Sequence, residues 1–186
     1  MSKPKKDLAQ MTPIEIIKSK KIKAVNRFYF YEFITKLITI VVIVFLMLQF
    51  VFGFKLMPNI DMTPRISAAD LLVYYRLDKE PIAGDVIVFK HEEQEYVLRV
   101  VAKGGDEVNI SENGLIINGA IQGASNIFYS TGVYEEGISF PVKLEEDEFF
   151  VLGDLRQGAR DSRYFGPIKK SDILGKVFIL IRRTQF

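Results

Sequence analysis

Residues 37–54, LITIVVIVFLMLQFVFGF, form an apolar run bounded by Lys36 and Lys55 and interrupted only by Thr39, Gln49 and Gly53. As a helix rising about 1.5 Å per residue it reaches roughly 27 Å, enough to cross a hydrocarbon core. A core helix is seldom apolar on every face over such a length, and one this size would dominate a small domain. A cleavable secretory signal needs a shorter apolar stretch followed by small residues, and Phe52-Gly53-Phe54-Lys55 offers no such site. The run therefore reads as a retained signal anchor that crosses the membrane once.

Charge is placed unevenly around this run. Residues 1–36 hold nine Lys/Arg against three Asp/Glu, an excess of +6 in a chain whose formal net charge is +2. The remainder is thus weakly acidic, which argues against nucleic acid as a partner. Lys18, Lys20, Lys21, Lys23, Arg27 and Lys36 precede the anchor, and the positive-inside rule places them in the cytoplasm, with residues 55–186 outside. Thr12-Pro13-Ile14-Glu15 combines an N-cap, a proline at the first helical position and a capping-box acid, so a helix is expected from about residue 12. Residues 1–11 are expected to be disordered. The chain has no cysteine, which excludes disulfides, thiolate metal sites and a cysteine nucleophile.

Beyond residue 55 the hydropathy breaks into short runs separated by turn signals. Residues 70–77, 85–90, 95–102, 107–110, 115–117, 149–152 and 176–181 read as strands, and a short helical turn is expected near 169–174. Asn113-Gly114 and Asn118-Gly119 are tight-turn dipeptides, and His91-Glu92-Glu93-Gln94 is a polar hairpin bend in which His91 is expected to be solvated. Short strands joined by hairpins predict a mainly β, antiparallel, partly barrel-like domain.

Several segments carry a resemblance, in order along the chain: Asp61-Met62-Thr63-Pro64, Gly84-Asp85-Val86-Ile87-Val88-Phe89, Leu98-Arg99-Val100, Gly104-Gly105-Asp106, Gly153-Asp154-Leu155-Arg156 and Asp161-Ser162-Arg163-Tyr164-Phe165-Gly166. Together with the anchor they resemble the membrane-bound type I signal peptidases, peptidase family S26. That resemblance implies a β core, with residues 109–143 forming a small β cap beside it. It also implies a serine nucleophile and a lysine base, the latter kept neutral by desolvation so that it can take the serine proton.

The matching positions hold other residues. Asp61 stands at the serine position, Leu98 at the lysine position, Ala159 at that of a serine that orients the lysine, and Leu155 where the family has asparagine. Loss of nucleophile and base together predicts a chain that is not an enzyme. It resembles the catalytically degenerate Gram-positive relatives associated with pilus assembly, which implies a membrane-anchored chaperone or assembly factor for secreted surface proteins, with pilin and sortase as partners. The alternative is an atypical signal peptidase that uses Asp61 in place of the serine.

The resemblance further implies a groove that holds an extended peptide, with Met57, Pro58, Asn59, Ile60, Asp61, Val86, Val88, Tyr96 and Leu98 as candidate lining residues. Asn59 matches a position associated with the oxyanion site. Asp154, Arg156, Asp161 and Arg163 are expected to form buried charge pairs between turns, and Ser162 to hydrogen-bond Asp61. No cofactor and no metal site is expected, and the oligomeric state is left open.

Overall fold

The computed structural model describes residues 12–111, 114–122 and 131–183; the expectation for residues 1–11 and the Asn113 turn position lie outside them. The chain divides into two units, residues 1–47 and 48–186. The first element is helix α1, Pro13–Val51, which buries none of its residues. Its start matches the capping signal: the Glu15 carboxylate accepts from the Thr12 backbone N–H at 2.9 Å and from the Thr12 hydroxyl at 3.1 Å. By length and composition it is a helix able to cross a membrane.

The remaining elements are strands β1 (Phe52–Leu56), β2 (Leu71–Tyr75), β3 (Val86–His91), β4 (Gln94–Lys103), β5 (Glu107–Ser111), β6 (Gly114–Ile117), β7 (Ala120–Ile121), β8 (Val142–Lys143) and β9 (Glu148–Leu152), short helix α2 (Ser162–Phe165), strand β10 (Ile168–Lys169), a 3-10 turn (Lys170–Asp172) and strand β11 (Ile173–Ile181). Among the described residues every strand pairing is antiparallel. A seven-stranded sheet runs in the order β1-β2-β11-β3-β4-β9-β10, and a four-stranded sheet runs β7-β6-β5-β8. The fold is thus mainly antiparallel β, preceded by a long apolar helix.

Several boundaries differ from the sequence expectation: β2 is shorter than residues 70–77, β11 starts before residue 176, and β1, β7, β8 and β10 are not among the expected strands. The helix stops at Val51, and Phe52, Gly53 and Phe54 belong to β1, registered against Tyr75, Tyr74 and Val73. Gly53 explains the switch: a Cβ there would lie 2.1 Å from the Tyr74 ring, so only glycine lets β1 close onto β2.

The larger core cluster includes Met57, Met62, Leu72, Ile87, Val88, Phe89, Tyr96, Val97 and Leu98; the second, towards the small sheet, includes Val108, Ile110, Leu115, Leu144, Phe150 and Leu152. In β3 three consecutive residues are buried, the mark of a strand covered on both faces. The β3–β4 hairpin turns through Glu92 and Glu93, both at positive φ, and β6 turns into β7 through Asn118 and Gly119, also at positive φ. His91 is not the solvated bend residue expected. It ends β3 half-buried, its ring stacked on Phe165 at a centroid distance of 4.5 Å.

Candidate functional site

The segment leaving β1 is fixed at both ends by main-chain bonds. Met57 N–H donates to the Asp70 carbonyl at 2.9 Å, and Ala69 N–H returns to the Met57 carbonyl at 2.9 Å. Met62, wholly buried, pins the following turn into the core. Asp61, between these anchors, is held half-exposed at the surface of the turn.

Two further contacts fix Asp61. Its carbonyl accepts from the Leu155 N–H at 2.9 Å, which ties it to the loop following β9. Gly153 permits this approach: a Cβ there would lie 2.8 Å from the Asp61 carbonyl oxygen and 2.5 Å from the Ala159 Cβ. The Asp61 turn and Ala159 therefore meet over one glycine. On the side-chain side, Asn59 Nδ2 donates to Asp61 Oδ2 at 2.7 Å, while the Asp61 N–H donates to Asn59 Oδ1 at 3.2 Å. Desolvation pushes the Asp61 carboxyl above its ordinary value; the Asn59 hydrogen bond opposes this and the nearby Asp161 charge adds to it.

The loop under Asp61 is built on charge. Asp154 is gripped bidentately by Arg99, with Nε at 2.7 Å and Nη2 at 2.6 Å, and Arg99 Nη1 also donates to the Gly84 carbonyl at 2.7 Å. The β-sheet register places this pair: Arg99 faces Leu152 across β4 and β9, and the chain turns at Gly153 immediately afterwards. Asp161 accepts from Gly153 N–H at 3.0 Å, from Arg163 N–H at 3.1 Å, and from Arg163 Nε and Nη2 at 2.9 and 2.8 Å. Tyr134 completes the arrangement. Its hydroxyl accepts from Arg163 Nη2 at 2.9 Å and donates to the Ala159 carbonyl at 2.8 Å, and its ring lies 4.4 Å from the Arg163 guanidinium carbon.

Some expected residues sit elsewhere. Met57, Val88, Tyr96 and Leu98 are buried in the core: Val88 on β3 and Tyr96 and Leu98 on β4 lie in the interior strands of the large sheet, and Met57 follows β1. Of the other candidates, Pro58 and Ile60 are exposed, while Asn59, Asp61 and Val86 are half-buried. Ser162 does not bond Asp61: it is fully buried, and its Oγ accepts from the Val151 N–H at 3.0 Å. Among the described residues Arg156 forms no ion pair of its own, unlike Arg163. Sequence reasoning missed Arg99 as the partner of Asp154, although a charged residue inside an apolar strand was a signal for it. It also missed Tyr134, for which the sequence carried none.

One strand stretch and one hollow bear on the site. β4 pairs with β3 along residues 94–99, but with β9 only from Arg99 onwards; Tyr96, Val97 and Leu98 are nonetheless buried, and of residues 94–98 Gln94 and Glu95 are exposed. A hollow of about 560 Å³ is lined by Tyr134, Glu135, Glu136, Gly158, Ala159, Arg160 and Tyr164. Ala159 is shared by that hollow and by the contact with Gly153. Among the described residues, no group of three or more His, Cys, Asp or Glu is placed to hold a metal ion.

A family model described as signal peptidase, peptidase S26, matches residues 30–181. The chain belongs to this signal peptidase family. It is 29% identical over 155 residues to a probable signal peptidase I-2 of Synechocystis sp., covering 77% of this chain and 69% of the relative. It is 30% identical over 159 residues to a signal peptidase I of Bacillus licheniformis, covering 78% and 84%. A solved signal peptidase I from Enterococcus faecalis is 25% identical, covers 53% of this chain and 97% of its own, and superposes with a TM-score of 0.44.

Membership corrects one expectation. A chain without enzymatic activity was predicted from Asp61, Leu98 and Ala159, yet the relatives are named signal peptidases and the matching family is one of peptidases. The substitutions stand as facts of the site. Asp61 places a carboxylate at the expected nucleophile position, and Leu98 places a buried aliphatic side chain at the base position.

Proposed function

We propose that this protein is a membrane-anchored signal peptidase of altered chemistry, acting on secreted preproteins with Asp61 as its acid–base group. The observation that carries this reading is the state of Asp61: a half-buried carboxyl at the nucleophile position, pushed above its ordinary value by desolvation. A carboxylate so placed is a better general base towards neutral pH than a solvated one. In the proposed step Asp61 takes a proton from water, the resulting hydroxide oxygen bonds to the scissile carbonyl carbon, and the carbon–nitrogen bond breaks. The departing amine then takes the proton from the Asp61 carboxylic acid. Asn59 would turn an amide hydrogen towards the developing oxyanion.

The orientation follows from charge, with the basic residues before the anchor in the cytoplasm and the β domain outside. Secreted surface proteins, pilins among them, with sortase as a co-worker, are the partners the resemblance favours. Cleavage of a secreted preprotein by the full chain in lipid vesicles tests the reading. Turnover by the wild type that is abolished in Asp61→Ala is expected; equal turnover by both, or none by the wild type, sinks it.

A further inference from the structure

The long helix and the apolar run that announces it do not end together. The sequence expectation sets the span at residues 37–54, yet α1 stops at Val51 and Phe52–Leu56 pair with β2. Only residues 37–51 of the run are therefore helical. At about 1.5 Å per residue they reach roughly 22 Å, short of a hydrocarbon core about 30 Å thick. β1 does not supply the difference. It ends the large sheet, paired by β2 on one side alone among the described residues, and lipid would leave the backbone groups of such an open edge without partners. The missing length, about five residues of helix, has to come from the N-terminal side.

The residues on that side are suited to lipid. Lys36 Nζ lies 2.7 Å from Glu32 Oε1, one turn earlier. The Thr35 hydroxyl donates to the Tyr31 carbonyl at 2.8 Å, and the Thr39 hydroxyl to the Thr35 carbonyl at 2.9 Å. These polar side chains are satisfied inside the helix itself, as a medium without water demands. The direction of the pair fits as well. Side chains on a helix lean towards its N-terminus, so the Lys36 stem can lie along acyl chains while its ammonium reaches back to Glu32 and the boundary. Five of the six residues 28–33 are aromatic, and all five are exposed. At 3.6 residues per turn they ring the helix rather than line one face, which matches the aromatic belt of a membrane–water interface.

We infer that the membrane span is Glu32–Val51, with Glu32 and Lys36 as a lipid-facing ion pair at its N-terminal boundary and the aromatic residues of 28–33 as a girdle around it. At the same rise this stretch covers roughly 30 Å, the thickness of the core. Arg27, about 7 Å further out, then stands among the headgroups, whose phosphates attract it. This placement rests on the anchor of the proposed function and not on the chemistry of Asp61.

A chain without cysteine permits mapping with single thiols. Asn26→Cys, Ile34→Cys and Val44→Cys, each in the full chain in nanodiscs of phosphatidylcholine and phosphatidylglycerol, are reacted with a charged maleimide that reaches both faces. Ile34→Cys is expected to react at least tenfold more slowly than Asn26→Cys, at a rate close to that of Val44→Cys. A fluorophore attached to it before reconstitution is expected to be quenched by brominated acyl chains. Ile34→Cys reacting as fast as Asn26→Cys, with Val44→Cys protected, returns the boundary to residue 37 and overturns the inference alone; Val44→Cys reacting as fast as Asn26→Cys overturns the anchor with it. Protection of position 34 without quenching puts protein rather than lipid against it, and also overturns the inference. Lys36→Met leaves Glu32 alone at the boundary and should draw the helix outward, raising the Ile34→Cys rate severalfold, and adding Glu32→Gln should restore it. A rate unchanged by Lys36→Met overturns the placement of the pair.

Discussion

Replacing Asp161 by asparagine should remove most of what holds the site loop together. Its two oxygens take four hydrogen bonds, three of them from Arg163, at 0% side-chain exposure for Asp161 and 1% for Arg163. Asparagine keeps one acceptor oxygen and turns an NH2 group towards donors. Arg163 is then a buried cation without a counter-charge, and Arg156 nearby adds to the unbalanced field. Breaking such a pair by deleting one partner costs about 3–5 kcal/mol. With an unfolding entropy of roughly 2.1 cal/mol/K per residue over the approximately 140 residues of Leu48–Phe186, this corresponds to a fall in melting temperature of about 10–17 °C. The measurement is thermal unfolding of the full chain in detergent micelles, followed by near-ultraviolet circular dichroism of the tyrosines. The double variant Asp161→Asn/Arg163→Met should lose less than the sum of the two singles, by about 1–3 kcal/mol, because it leaves no orphaned charge. A single variant that loses under about 1 kcal/mol, or a double that is strictly additive, would refute the view that this pair is a closed, desolvated unit.

Two further outcomes follow from the same geometry. Gly153→Ala should destabilise by about 1–3 kcal/mol, since the new Cβ meets both the Asp61 carbonyl and the Ala159 side chain, and Ala159→Gly should recover part of that loss; a neutral Gly153→Ala would show that the two loops have slack. Asp61→Asn should unfold at higher temperature than the wild type at neutral pH. The sign follows from the raised folded-state pKa: Asp61 favours folding while protonated, and that contribution is lost as pH climbs from the unfolded value of about 3.8 through the folded one. The advantage should shrink towards zero below that lower bound, and a variant less stable than wild type at neutral pH would contradict the desolvation argument.

Much of the sheet was legible because its strands are short, rich in β-branched and aromatic residues, and bounded by turn dipeptides. The paired runs that became β3 and β4, and the Asn118-Gly119 turn, follow directly from that signal. β1 was hidden for the opposite reason: Phe52 and Phe54 continue the hydropathy of the helix on either side of Gly53, and the packing of Gly53 on Tyr74 marks the change to a strand. The groove candidates came from the resemblance, and the burial of Val88, Tyr96 and Leu98 was not legible because both faces of β3 are covered and β4 packs beside it. The motif Asp161-Ser162-Arg163 announced a charge pair within two residues, but the partner of Asp154 is 55 residues away on another strand, a distance no local pattern spans. The substitutions at Asp61 and Leu98 were plain in the sequence. What they mean for activity was not, because residue identity at two positions says nothing of the desolvation and hydrogen bonding that set the chemistry of a carboxyl.

The rate of preprotein cleavage as a function of pH, for the full chain in lipid vesicles, reaches the central claim most directly. If Asp61 is the base, the rate rises with pH, inflecting above the ordinary carboxylate value of 3.8, and Asp61→Asn removes that rise. A wild-type chain that fails to cleave at any pH, or a profile that Asp61→Asn leaves unchanged, contradicts it.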